Sequence, residues 1–258
     1  MKRKAKKMIC NAEEVLKIAK EEIGYKEKAS NSHLDDKTAN AGSGNYTKFA
    51  RDTKGYWGDK QGFDWCTSFV LWCIWMACGK NFADAQKVQP FGSYGASCKW
   101  QTQYYQTAKR WSTVPHVGDQ AFFTRGHTGL VEKVEPGTIT LIEGNCSNAV
   151  CRRTYAFPNS QFSGFGMPRY APTITENPVS QTAKSGDRVT FSVSAQDAKS
   201  YQWQYSPNGW KKWKTWLLKT KPNETTKAHS GNNGCRYRCI VKNSYGERTS
   251  SEAKLTVK

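Results

Sequence analysis

Three kinds of side chain in the first two-thirds of the sequence have the types and order needed for acyl transfer. Cys66 falls within the first turn of a helix whose pattern predicts a start at Asp64, with Asp64 as N-cap. Unpaired backbone N–H groups and the helix dipole favour a thiolate over a thiol at such a position. His127 opens a predicted strand in the run GHTGLVEKV, flanked by Gly126 and Gly129, which leave an imidazole accessible. Glu143 and Asn145, in LIEGN, are two residues apart and so point to one face of their strand. In such a set Cys66 attacks a carbonyl and His127 takes and returns the proton. Either Glu143 or Asn145 holds the imidazole ring in the required tautomer. Each residue alone also has an ordinary reading: a cysteine on a helix is commonly a small buried hydrophobe, the role expected of Cys73. His33, His116 and His229 lack comparable surroundings and read as structural or surface residues.

The elements that must position these side chains can be read from periodicity. AEEVLKIAKEEIG places Val15, Leu16, Ala19 and Ile23 on one helical face, and Gly24 supplies a stop. The polar, Asn- and Gly-rich stretch from Ser30 to Tyr56 reads as a long irregular loop. In the helix of Cys66, Phe69, Val70, Cys73 and Ala77 share a face. Strands are expected at Gln120–Thr124, His127–Val134 and Thr138–Gly144, with a turn at Pro136-Gly137, giving an antiparallel meander. Helices followed by an antiparallel sheet define an α+β domain.

Composition narrows the classes. The 258 residues include 39 Lys and Arg against 21 Asp and Glu, a net charge of +18, with 13% aromatic residues. That aromatic content excludes a fully disordered chain. The longest nearly apolar run, residues 69–78, is too short to span a bilayer, so no membrane span is expected. The positive charge is spread through both halves apart from the tail Lys2, Arg3, Lys4, Lys6 and Lys7 and a cluster near Lys211; it suits a polyanionic partner, either nucleic acid or an anionic bacterial wall. The N-terminus has a basic start but no apolar core of a secretory signal before Glu13, which suggests synthesis in the cytoplasm. Nine cysteines without a regular pattern argue for mostly reduced thiols, although Cys146 and Cys151 could pair across a hairpin. No histidine stands at ligand spacing from Cys146–Cys151 or Cys235–Cys239, so no metal is expected there.

The strings DWCTSFVLW, GDQAFFTRGHTGLVEKV and TITLIEGN resemble the nucleophile, histidine and acid segments of CHAP-domain peptidoglycan hydrolases, in the wider NlpC/P60 group. The resemblance covers roughly residues 11–170, and NAGSGNYTKFARD is similar to prophage-encoded members. It implies a papain-like α+β catalytic domain that cleaves an amide in the bacterial wall peptide. Cys66 is then the nucleophile, His127 the base, Glu143 the third member and Asn145 a supporting fourth. The Cys66 backbone N–H would be one oxyanion donor and Gln61 a second. Some members carry a calcium loop of alternating Asp residues ahead of the cysteine. Here Asp52, Asp59 and Asp64 lack that alternation, so neither calcium nor any other cofactor is expected.

A composition shift at residues 164–178, with Pro168, Pro172 and Pro178, marks a connector. The expected organisation is a basic tail at 1–10, the catalytic domain at 11–171 and a second domain at 172–258. The second reads as short strands at Thr173–Ile174, Arg188–Val193, Ser200–Tyr205, Arg236–Lys242 and Ala253–Val257, with a hairpin ahead of the last. Trp203 sits where an immunoglobulin-like sandwich buries its strand-C tryptophan, and Tyr237 lies two residues before Cys239, the spacing of a tyrosine corner. Phe191 and Val193 occupy the strand of the first cysteine, so the inter-sheet disulfide should be absent. WKKWKTWLLKTK, with Trp210, Trp213, Trp216, Lys211, Lys212 and Lys214, is a candidate surface for glycan stacking and polyanion binding.

Together these point to an endolysin-type peptidoglycan hydrolase, made in the bacterial cytoplasm and released to the wall by a holin. It is expected to be a monomer with peptidoglycan and anionic wall polymers as partners and no nucleic acid. The rival readings are a non-catalytic wall- or polyanion-binding protein and a cysteine acyltransferase or amidase acting on a soluble substrate.

Overall fold

In the computed structural model, which describes residues 10–207 and 212–258, the chain forms two units that divide between Arg169 and Tyr170. The first begins with helix α1 (Ala12–Glu21), whose N-cap Asn11 accepts from the Glu14 N–H. Its buried residues are Ala12, Val15, Leu16 and Ala19, and Gly24 (φ +89°) follows its last turn. Ile23 lies beyond the helix and is half-buried.

The stretch expected to be one irregular loop contains helix α2 (Lys48–Trp57). Thr47 caps it, and Phe49, Ala50, Thr53 and Trp57 are buried. Its first turn carries no acidic residue and Gly55 sits in its interior, so local propensity is weak and packing on the next helix sustains it.

That next helix, α3 (Cys66–Ala77), buries nearly every residue because α1, α2 and α4 (Phe82–Val88) cover it on one side and the sheet on the other. Its N-cap is Trp65, not Asp64: no side chain caps the helix, and Cys66 is its first residue. Helix α5 (Cys98–Thr107) completes the helical part.

The sheet contains β1 (Trp111–Ser112), β2 (Gln120–Phe123), β3 (His127–Glu135), β4 (Thr138–Glu143), β5 (Cys151–Ala156) and β6 (Phe162–Gly166). Their spatial order is β1-β6-β2-β3-β4-β5, with every pairing antiparallel. The central β2-β3-β4 meander turns at Gly137 (φ +79°). Cys146 and Cys151 form a disulfide between β4 and β5, and the other seven cysteines are thiols.

The second unit is all β. Its strands are β7 (Thr173–Glu176), β8 (Gln181–Ala183), β9 (Arg188–Ser192), β10 (Ser194–Gln196), β11 (Ser200–Ser206), β12 (Lys214–Thr215), β13 (Asn223–Lys227), β14 (Arg236–Asn243), β15 (Gly246–Thr249) and β16 (Ala253–Val257). One sheet runs β12-β11-β14-β16-β8, with β8 parallel to β16 and β15 paired to β14; β9 pairs with β13 and β7 with β10. Val189 and Phe191 from β9 share one core with Trp203, Cys239, Val241 and Leu255 of the larger sheet. This is the pairing and core of an immunoglobulin-like sandwich. Trp203 is fully buried opposite Cys239, and Phe191 stacks on Tyr237, so an aromatic pair fills the space an inter-sheet disulfide would take.

Candidate active site

Two strand ends and two helix starts meet around Cys66. Trp65, the residue before it, is fully buried, stacks on Phe49 and donates its indole N–H to Glu27 at 2.8 Å. That anchor fixes the entry to α3 and so the position of the Cys66 sulfur. The sulfur is nearly buried and sits in a cleft of about 570 Å³.

His127 and Glu143 occupy adjacent strands, β3 and β4, and meet side by side. Glu143 is completely buried, and its Oε2 lies 2.8 Å from His127 Nε2. Its other oxygen accepts the Tyr155 hydroxyl of β5 at 2.6 Å. A buried carboxylate with two donors is satisfied rather than stranded. Because Nε2 faces Glu143, Nδ1 is the ring nitrogen left to meet the Cys66 sulfur, with which His127 shares a hydrogen bond.

The glycines serve different purposes. Gly126 takes a left-handed turn (φ +82°) just before His127. Gly129, expected to leave the imidazole open, instead makes room for the acid: a Cβ there would stand 2.6 Å from Glu143 Cγ.

Among the described residues no hydrogen bond joins Asn145 to His127. Strand β4 ends at Glu143, and Asn145 adopts φ +56°, so the two-residue alternation stops before reaching it. Its Nδ2 donates to Asp64 Oδ1 at 3.0 Å, tying the end of β4 to the loop ahead of Cys66. That bond also occupies the residue expected to cap α3. Gln61 is likewise engaged away from the sulfur: its amide accepts from Thr47 N–H and donates to the Thr47 carbonyl and Asn31. It is therefore a brace for the start of α2, not an oxyanion donor. The Cys66 N–H remains available, since the first donor within α3 is Phe69.

Electrostatics set the protonation of the pair. A hydrogen bond from Cys98 is the largest influence on Cys66; burial opposes it, and His127 and the Thr128 N–H add to it, leaving the thiol lowered to about 5. Burial acts to lower His127, but its bonds to Cys66 and Glu143 outweigh that and raise it to about 9. Both directions favour a thiolate beside an imidazolium.

Three features had no local sequence signal. Tyr155 supports Glu143 from a third strand, Glu27 anchors Trp65 from the loop after α1, and Cys98 brings a second sulfur to 3.7 Å from Cys66. The cleft also has an aromatic wall, where Tyr94 and Trp100 stack at 5.2 Å with Phe63, Lys60 and Lys99 nearby.

Asp52, Asp59 and Asp64 lie in three separate environments: Asp52 accepts from Arg51 and Trp72, Asp59 from the Gln61 N–H, and Asp64 from Asn145. Among the described residues no group of three or more His, Cys, Asp or Glu is placed to hold a metal ion.

In the second unit, Trp216 packs on Tyr237, and the Arg238 guanidinium covers Trp213 at 4.1 Å. Part of this aromatic surface is therefore used within the fold. Lys212 and Lys214 are exposed. Trp210 and Lys211 lie outside the described residues, as does nearly all of the basic tail.

A CHAP domain is found at residues 58–145, a span that contains Cys66, His127, Glu143 and Asn145. CHAP domains are typically cysteine-dependent amidases or endopeptidases, which implies a peptidoglycan hydrolase or amidase type of function in general. No curated protein matches the chain. Similar solved structures include the titin M4 domain, 22% identical over 34% of this chain and 96% of that one, with a TM-score of 0.27. FN3tt is 15% identical over 35% and 98%, and the Sidekick-1 immunoglobulin domains 1–5 are 16% identical over 57% and 29%, both with TM-scores of 0.28.

Proposed function

We propose that the first unit hydrolyses an amide bond of the bacterial wall peptide through a Cys66 acyl-enzyme. The observation that carries this reading is the Cys66–His127–Glu143 chain of contacts, with Cys66 lining a cleft, inside a CHAP domain. The Cys66 thiolate attacks the carbonyl carbon, and the oxyanion forms against the Cys66 N–H at the start of α3. His127 already holds a proton, so its first act in the cycle is to donate it from Nδ1 to the departing amine. It then takes a proton from the water that hydrolyses the thioester. Glu143 keeps Nε2 protonated throughout, and Tyr155 keeps Glu143 in place.

The aromatic wall of Tyr94 and Trp100 suits a sugar or peptide flank of the substrate, and Lys60 and Lys99 suit its carboxylates. In this reading the chain is an endolysin-type enzyme, made in the cytoplasm and released by a holin. The immunoglobulin-like unit adds affinity for the wall through basic residues such as Lys212 and Lys214. The resemblance of the N-terminal helix and of NAGSGNYTKFARD to prophage-encoded members and the net charge of +18 support that assignment.

The test is turbidity loss of purified Gram-positive walls with wild type beside Cys66→Ala, followed by mass spectrometry of the fragments. Lysis by wild type alone, with both proteins folded, is expected, and the fragment masses name the bond. Lysis by Cys66→Ala would remove Cys66 from the mechanism. Activity of neither protein on several wall types would favour a soluble substrate or a binding role.

A further inference from the structure

The acyl-transfer scheme uses one sulfur, yet the cleft holds two. Cys98 Sγ lies 3.7 Å from Cys66 Sγ, at the first position of α5 as Cys66 is at the first position of α3. Both thiols line the same cleft, and Cys98 is partly exposed while Cys66 is nearly buried. Their separation is held by the fold. Thr67, next to Cys66, donates its hydroxyl to the Ala96 carbonyl two residues before Cys98, and Gln101 of α5 donates to the Pro90 carbonyl. Bringing the sulfurs from 3.7 Å to a bonding distance of about 2.05 Å closes a gap of about 1.7 Å between them.

We propose that Cys98 is a resolving thiol, which closes onto Cys66 as a disulfide when the site meets a peroxide and so stores the nucleophile in a recoverable form. In the first step the Cys66 thiolate attacks one oxygen of hydrogen peroxide. The O–O bond breaks, the sulfur becomes a sulfenic acid, and the departing hydroxide takes the proton held on the His127 imidazolium and leaves as water. Cys98 sulfur then attacks the sulfenyl sulfur; the S–S bond forms, the S–O bond breaks, and hydroxide leaves with the Cys98 proton as a second water. The two sulfurs have lost two electrons, His127 and Cys98 have each given one proton, and one peroxide has become two waters. A dithiol reductant reverses the change. A thiolate that peroxide reaches without such a neighbour instead proceeds to sulfinic and sulfonic acids, which dithiols do not reduce. The reduced pair has its own use, because the Cys98 S–H donates to the Cys66 thiolate and stabilises it.

This inference rests on Cys66 being the reactive thiolate of the proposed hydrolase, but its readout does not need hydrolysis. Full-length protein is treated with hydrogen peroxide, blocked with iodoacetamide and digested without reduction. Cys66, Cys73 and Cys78 share one tryptic peptide, so fragment ions must assign the partner sulfur. Wild type should give a Cys66–Cys98 cross-linked peptide lighter by two hydrogens, and dithiothreitol should restore iodoacetamide labelling of Cys66 in full. Cys98→Ser and Cys98→Ala should give Cys66 carrying two or three oxygens, with no recovery. Wild-type Cys66 oxidised as irreversibly as in Cys98→Ser, with no cross-link, would overturn the proposal. A cross-link in a protein that does not lyse walls would keep the resolving thiol and sink the hydrolase reading; lysis without a cross-link would do the reverse.

Discussion

Replacing Glu143 with glutamine tests the ion pair directly, because the change keeps the shape and removes the charge. Glu143 presents Oε2 to His127 Nε2 and Oε1 to the Tyr155 hydroxyl, both as acceptors. A glutamine has one oxygen and one NH2 for those two places. If the oxygen stays with Tyr155, the NH2 faces Nε2 and favours a neutral ring that accepts there, leaving the proton on the side of Cys66. If the oxygen turns to His127, the hydroxyl must reverse and become an acceptor. In either arrangement the imidazolium loses a charge-assisted bond of about 1.5–3 kcal/mol. At about 1.36 kcal/mol per pH unit, that is a fall of about one to two units in the proton affinity of His127, from about 9. The pH profile of kcat/KM for wall hydrolysis should be a bell. Its acid limb follows Cys66, near 5, and its alkaline limb follows His127, near 9, both belonging to the coupled pair. In Glu143→Gln the alkaline limb should move down by one to two units. The acid limb, read independently from the rate of Cys66 alkylation by iodoacetamide, should stay close to its wild-type position. An unmoved alkaline limb in a folded variant would refute the assignment of Glu143 as the group that holds the His127 proton.

Gly129→Ala would place a Cβ 2.6 Å from Glu143 Cγ and 3.0 Å from the Ile142 carbonyl oxygen of β4. It should cost about 1–3 kcal/mol of stability, seen as a lower midpoint in urea, and should displace the acid enough to lower kcat. Trp100→Ala removes one partner of the stacked pair in the cleft wall. It should raise KM on wall substrate several-fold, for a stacking contribution of about 0.5–1.5 kcal/mol, while iodoacetamide alkylation of Cys66 keeps its wild-type rate and pH dependence.

The parts of this architecture that could be read from the sequence are those whose pattern is local and strong. The β2-β3-β4 meander alternates clearly and turns at Pro136-Gly137, and α3 is an apolar run that nothing but burial explains. Helix α2 escaped because its buried residues, Phe49, Ala50, Thr53 and Trp57, are diluted by Arg51, Asp52, Lys54 and Gly55; tertiary packing, not propensity, makes it a helix. Asp64 has the residue type of a cap, but Asn145, 81 residues away, claims its carboxylate. The choice between Glu143 and Asn145 could not be read because alternation holds only while a strand continues, and β4 stops at Glu143. Tyr155 and Cys98 reach the site across long sequence separations, so their roles exist only in the folded chain.

The contrast between Cys66 and Cys73 shows what the fold adds to residue type. Both lie on α3 and both are buried, so burial alone would make each an inert thiol. Cys73, in the middle of the helix, has its thiol raised well above the ordinary range by that burial, and the charge of Glu22 pushes it further. Cys66 bears a comparable burial cost, but at the first residue of the helix its backbone N–H has no partner within α3. There the sulfur can also receive hydrogen bonds from Cys98, His127 and the Thr128 N–H, none of which a mid-helix residue could meet. The thiolate at Cys66 is thus selected by an end effect: α3 starts where β3 and α5 converge, and Trp65, held by Glu27, fixes that starting point. Shifting the helix start by one residue would move the sulfur by about 100° around the axis and exchange this set of donors for the apolar packing that keeps Cys73 inert.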